Sequence, residues 1–110
     1  MDTYAKGYRR EKELRDKFAE AGYLVDFKQR SRYQSPDLLT QFDFVAVKCG
    51  IVRWVQVKSR KSHYYTARKA IRKWLLQNDL DISCEIWCKE DRGKWFGSEI
   101  DRQGYTRAYI

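Results

Sequence analysis

The chain is poor in the residues that most often announce a function. Its 110 residues include one histidine, one proline and one methionine. The lone His63 and three cysteines, Cys49, Cys84 and Cys88, lack the paired ligand spacings of a structural zinc site. The odd cysteine count leaves one thiol over in any disulfide scheme. Buried free thiols in a reducing compartment are therefore expected, with Cys84 and Cys88 on the same side of a strand-like run. No apolar run approaches the length of a membrane-crossing helix, and the polar N-terminus has no signal-peptide core. An intracellular, cytoplasmic protein without a membrane partner is expected. No internal repeat, low-complexity stretch or linker divides the chain, so residues 1–110 read as a single domain.

What is present is apolar enough to fold and basic enough to need an explanation. Hydrophobic residues make up 43%, which argues against disorder, and 15% aromatic content points to a core or interface rich in large rings. Lysine and arginine total 23 against 15 acidic residues, a net charge of +8. That balance favours a polyanionic partner, nucleic acid before membrane, the alternative being a merely solvated basic surface.

Periodicity gives an alternation of helices and strands. Residues 4–21 predict a helix with Leu14, Phe18 and Ala21 on one face, ended by Gly22. A strand is expected over 23–28, then a polar loop over 29–41 that holds the only proline, Pro36. Residues 42–58 predict a hairpin. Residues 65–78 suit a second helix with Ala67, Ala70, Ile71, Trp74 and Leu75 on its apolar face and Arg68, Lys69, Arg72 and Lys73 opposite. Two closing strands, 84–89 and 94–98, surround a turn at Asp91-Arg92-Gly93. The order αβββαββ describes an α/β domain whose central mixed β-sheet is flanked by helices.

The hairpin, within FDFVAVKCGIVRWVQVKSRK (residues 42–61), carries the chemistry. A two-residue loop at Cys49-Gly50 sets Asp43 opposite Gln56, and alternation turns Lys58 the same way as Gln56. An acid, an amide oxygen and an amine then share one face, with Phe44, Val55 and Val57 on the other. A one-residue slip would dissolve the trio. Glu11 lies three and seven residues before Leu14 and Phe18, so the first helix turns it toward the sheet. A carboxylate there needs a metal or Lys58 as partner; the alternative is an edge position that reaches solvent or pairs with Arg15. Glu13 points elsewhere.

A helix glutamate, then an aspartate, then thirteen residues later a position-x-Lys strand resembles the PD-(D/E)XK nuclease superfamily, with its restriction-endonuclease-like core. Within it the chain looks most like the archaeal-type Holliday-junction resolvases. The likeness runs through Ala5-Lys6-Gly7-Tyr8-Arg9-Arg10-Glu11 and Ala21-Gly22-Tyr23-Leu24-Val25, and is closest over residues 43–61. Two departures stand out. Phe42 precedes the acid where the family often has proline, and Gln56 replaces the motif acid. Pro36-Asp37 imitates the "PD" dipeptide, but Asp37 falls outside the hairpin pairing, so Asp43 is preferred.

The resemblance implies metal-assisted phosphodiester hydrolysis, with Glu11, Asp43 and Gln56 facing Mg²⁺ (Mn²⁺ as substitute) and Lys58 as the motif lysine. An amide oxygen coordinates a hard cation without bringing charge. The basic residues Lys28, Arg30 and Arg32, with Ser35 in the following loop, and the group Arg60, Lys61, Arg68 and Arg72 are expected to contact branched or duplex DNA. His63 reads as a phosphate contact or an exposed loop residue. The resemblance also implies a homodimer, since two active sites cut a junction symmetrically, and a role in DNA recombination or repair in an archaeal, bacterial or viral setting. The rival expectations are a phage or mobile-element nuclease of the same fold (a virus-type repair nuclease or homing endonuclease), a catalytically silent DNA-binding paralogue, and a non-enzymatic interaction protein.

Overall fold

A computed structural model describes residues 3–28, 37–39 and 41–110 of the chain. The elements run α1 (Thr3–Glu20), β1 (Leu24–Asp26), β2 (Phe44–Lys48), β3 (Ile51–Lys58), α2 (Lys61–Gln77), β4 (Cys84–Cys88), β5 (Phe96–Asp101) and β6 (Gly104–Arg107). The strands form one six-stranded sheet in sequential order. Every neighbouring pair is antiparallel except β3 and β4, which run parallel because α2 crosses between them.

The first helix ends as Gly22 requires. At φ +95 this glycine lets its own N–H reach Ala19 O and the Tyr23 N–H reach Phe18 O, at 3.0 and 3.1 Å. The same closure packs the Tyr23 ring edge-on against Phe18, 5.3 Å between centroids. Both residues of the hairpin turn have positive φ, Cys49 at 51 and Gly50 at 78, the combination of a two-residue type I′ turn. That turn pairs Lys48 with Ile51 and Phe44 with Val55, the register expected from the sequence.

Alternation along this hairpin separates two cores. On the α1 side, Leu14 and Phe18 pack with Phe44, Ala46, Val55, Val57, Trp87 and Ala108. On the α2 side, Tyr64, Ile71 and Leu75 pack with Phe42, Cys84, Ile86, Cys88 and Ile100. Cys84 and Cys88 do share a face, and burial pushes their thiols up to about 12 and about 11. Cys49, by contrast, is exposed at the hairpin tip rather than buried.

Five sequence expectations are corrected. The second helix begins at Lys61, four residues early, because its first turn, Lys61-Ser62-His63, has no apolar residue to mark it. His63 is therefore a helical residue, not a loop one, and Ala70 is exposed rather than on the buried face. The fifth strand starts at Phe96, not residue 94, and continues to Asp101. The order is αβββαβββ. The unforeseen β6 is short and mostly exposed, so it carries no apolar alternation. It is formed by a turn in which the Asp101 carboxylate accepts from the Gln103 and Gly104 amides at 2.8 and 3.0 Å.

Candidate active site

The parallel strands β3 and β4 end side by side, with Lys58 paired to Cys88, and the chain enters β2 at the same end of the sheet. Clefts at the carboxyl ends of parallel strands are where α/β sheets place ligands. Asp43 sits immediately before β2. Its N–H donates to Val55 O at 2.8 Å, which prolongs the hairpin by one residue beyond Phe44. Its carboxylate accepts from the Val57 amide at 2.7 Å, so the acid is tied by both backbone and side chain to the strand that carries Gln56 and Lys58.

Gln56 is held just as firmly. Its Nε2 donates to Gln41 O at 2.6 Å, which fixes which end of the amide is oxygen. The Oε1 atom is buried and has no hydrogen-bond partner. A buried acceptor left unsatisfied is costly and calls for a donor or a cation.

Among the charged neighbours that act on Asp43, Glu11 and Asp37 are negative and Lys58 is positive. Burial, and next the negative charges of Glu11 and Asp37, push the Asp43 carboxyl up from 3.8 to about 7, against the opposing pull of the Val57 amide and the Lys58 ammonium. Glu11 from α1 and Lys58 from the end of β3 are thus close enough to Asp43, at the entry to β2, to act on its charge. Glu11 and Lys58 are both half-buried. Asp37, set aside on sequence grounds, joins them. Among the described residues, no three His, Cys, Asp or Glu side chains converge tightly enough to hold a metal by themselves.

Phe42, where the nucleases that the sequence resembles often have proline, has a structural role that proline could not fill. Its N–H donates to Leu38 O at 2.9 Å, and its ring is fully buried against Trp54 and Trp74, with centroids 6.0 and 5.7 Å away.

The residues expected to contact DNA divide into three groups. Lys28 is exposed beyond β1, and Arg60 and Lys61 are exposed where α2 begins, beside a cleft of about 570 Å³ also lined by Lys6, Ser59, Ser62, Glu90 and Asp91. Arg30, Arg32 and Ser35 lie outside the described residues. Arg68 and Arg72 lean back over the sheet instead of standing on the free face of α2. The Arg68 guanidinium lies 4.3 Å from the Tyr105 ring centroid and 3.5 Å from Ser98 Oγ, and Arg72 donates to Arg102 O at 3.1 Å. Tyr64 and Trp87 are core residues, and Tyr64 hydrogen-bonds Ser98.

Glu13 does point elsewhere. It accepts from Lys89 at 2.5 Å and from Trp95 Nε1 at 3.2 Å, and pairs with Arg10. Although partial burial raises it, these donors hold its carboxyl below the usual range. A second ion cluster, unmarked in the sequence, joins Arg53 to both Glu85 oxygens at 2.6 Å beneath Tyr23.

No family model and no curated protein matches the chain. A solved structure does. The fold is similar to that of Hjc from Archaeoglobus fulgidus, a Holliday junction resolvase from an archaeal hyperthermophile, with a TM-score of 0.54. The alignment covers 93% of this chain and 87% of that one at 17% identity. The chain has a resolvase-like fold. Among the described residues, no helix is long and apolar enough to cross a membrane.

Proposed function

We propose that the protein is a metal-dependent DNA endonuclease, selective for branched DNA such as a four-way junction, and that it works as a homodimer. The observation that carries this reading is the buried, unpartnered Gln56 Oε1 beside a carboxyl whose neighbours crowd it with negative charge. Those features suit a site that takes a cation. The donor set fits one: hard oxygen donors from Asp43, Gln56 and Glu11 suit Mg²⁺ or Mn²⁺, with water and a DNA phosphate completing the shell. When bound, such an ion supplies Lewis-acid polarisation of the phosphate and a water of lowered pKa.

The chain's own residues then have distinct parts. The Val57 amide fixes the Asp43 carboxylate, and Gln41 O fixes the Gln56 amide, so neither rotates away when substrate binds. Lys58 offsets charge that develops on the phosphate under attack. Arg60, Lys61 and Lys28 grip the backbone without reading bases, and the net charge of +8 supports strongly salt-dependent binding. The resolvase-like fold supports a branched substrate and a paired arrangement.

The test is cleavage of synthetic junction, flap and linear duplex DNA with Mg²⁺, with Mn²⁺ and with chelator. Metal-dependent cutting of the junction in preference to the duplex is expected. A second reading, a silent DNA-binding module, draws on Gln56 in place of the motif acid. It predicts tight junction binding with no cutting in either metal.

A further inference from the structure

The α1 side of the sheet is covered unevenly. Leu14 and Phe18 pack over β2 and β3, but toward β5 and β6 the side chains on this side become small. Gly97 pairs with Trp87, and a Cβ on it would come within 2.5 Å of the indole, so the Trp87 ring lies directly over the glycine. Ala108 follows at the sheet edge, its N–H donating to Gly97 O at 3.0 Å. These two small residues sit at a cavity of about 520 Å³, bounded by Lys17 of α1, the segment between β4 and β5, and the chain after β6. That volume suits a small ligand. None of Glu11, Asp43, Gln56 and Lys58 lines it.

The walls combine two chemistries. Lys17, Lys89, Lys94 and Arg107 line the cavity, and no acid does. Glu13 engages Lys89 at 2.5 Å, but Lys94 and Arg107 pair with no acid among the described residues. Beside these cations stand rings held in place. Trp95 Nε1 donates to Glu13 at 3.2 Å, and the Arg107 guanidinium lies 5.2 Å from the Tyr109 ring centroid. Tyr109 is 68% exposed, yet its main chain is fixed, because Arg53 donates to Tyr109 O at 2.6 Å. A ring so anchored and so open contributes little burial to the fold and keeps a face free for stacking.

Aromatic faces among cations match a ligand that carries both a flat ring and phosphates. In a duplex the bases already stack on one another, so an unpaired nucleotide is the form that offers its face. The free cations come from three elements, α1, the β4–β5 connection and β6, which suits successive phosphates of a strand better than one phosphate. We propose that this cavity is a second nucleic-acid site, taking an unpaired nucleotide of a single strand. The base lies against Tyr109 and Trp95, and the flanking phosphates lie on Lys17, Lys94 and Arg107. The site needs no metal and stands apart from the nuclease reading.

Anisotropy titration of a dye-tagged hexathymidylate, with chelator throughout, compares the wild type with Tyr109→Ala, Tyr109→Phe and Lys94→Glu. An abasic hexamer of equal charge is the reference. The wild type is expected to bind hexathymidylate roughly tenfold more tightly than the abasic hexamer. Tyr109→Ala should erase most of that preference, and Tyr109→Phe, which keeps the ring, should retain it. Lys94→Glu should weaken both hexamers and make their binding less dependent on salt. It tests the site whether or not Tyr109→Ala folds, which a thermal melt reports. Equal affinity of the wild type for the two hexamers overturns the proposal, since charge alone then explains binding. An unchanged preference in folded Tyr109→Ala, or unchanged affinity in Lys94→Glu, also overturns it. So does equal displacement of the hexamer by polyglutamate or by thymidine monophosphate at the same molar concentration, which would point to an acidic peptide or a free nucleotide. No cutting is measured, so a failure of the nuclease reading leaves these outcomes unaltered.

Discussion

The Asp43 carboxylate accepts a hydrogen bond from the Val57 amide across the hairpin, at 2.7 Å. A side chain thereby does the work of a ladder bond where β2 has not yet begun, and the candidate metal ligand becomes part of the sheet. An asparagine oxygen can take the same bond without the charge. Asp43→Asn is therefore expected to keep the fold and to melt no lower than the wild type near neutral pH without metal, while cleavage falls roughly a hundredfold or more. Asp43→Ala, which leaves the Val57 N–H without its acceptor, should melt below Asp43→Asn by an amount equivalent to about 1–3 kcal/mol. Thermal melts of the two variants side by side check this.

The raised carboxyl predicts an unusual pH profile. Asp43 has a folded pKa of about 7 against an ordinary value of 3.8. Between those values the folded state holds a proton that the unfolded chain has released. Stability from this group is present in acid and is lost as pH rises through that window. Denaturant unfolding in chelator at a series of pH values should show this decline, and Asp43→Asn should flatten it. A stability curve that rises across the window, or one unchanged by the substitution, contradicts the charge balance described for the site.

Gln56→Glu places an acid at this position at a local cost. Its carboxylate gains charge for the cation, and roughly tenfold tighter Mg²⁺ binding is expected. The carboxylate's other oxygen, in place of Nε2, then faces Gln41 O, where the native amide donates at 2.6 Å. Two acceptors in contact repel, so the metal-free variant should melt lower and recover on adding Mg²⁺. Titration calorimetry and melting with and without Mg²⁺ measure both halves.

The Arg53–Glu85 pair is the main ionic element of the α1-side core. Both side chains are largely buried, at 11% and 7% exposure, and Trp87 Nε1 also donates to Glu85 at 2.9 Å. Burial disfavours the Arg53 charge, but Glu85 and Tyr23 outweigh it and hold the guanidinium above its ordinary value. Glu85→Ala leaves that cation buried without its partner and is expected to cost about 3–5 kcal/mol. Urea unfolding should show the loss, with junction binding by the folded fraction retained.

How much of this was legible depended on whether local chemistry settled the geometry. The hairpin was readable because Cys49-Gly50 admits one tight turn, and strict alternation then assigned Phe44, Val55 and Val57 to the core. The first helix was readable because Leu14 and Phe18 repeat and Gly22 stops them. The rest depended on contacts distant in sequence. Nothing in the residues before Asp43 marks a strand, so the fold-back at the Leu38–Phe42 bridge has no pattern in the sequence. Periodicity put Arg68 and Arg72 on a polar face, yet their long stems reach over the sheet to Tyr105 and Arg102, which no helical pattern encodes. The last strand went unseen because Gly104–Arg107 is held by a turn and a neighbour rather than by a buried face of its own.

The most direct test of the central claim is cleavage of a four-way junction by the wild type, Asp43→Asn and Lys58→Met, with Mg²⁺ and with chelator. The account predicts Mg²⁺-dependent cutting by the wild type. Both variants should lose it by roughly a hundredfold or more while still binding the junction. Undiminished cutting by both variants, or tight junction binding by the wild type with no cutting in Mg²⁺ or Mn²⁺, would contradict it.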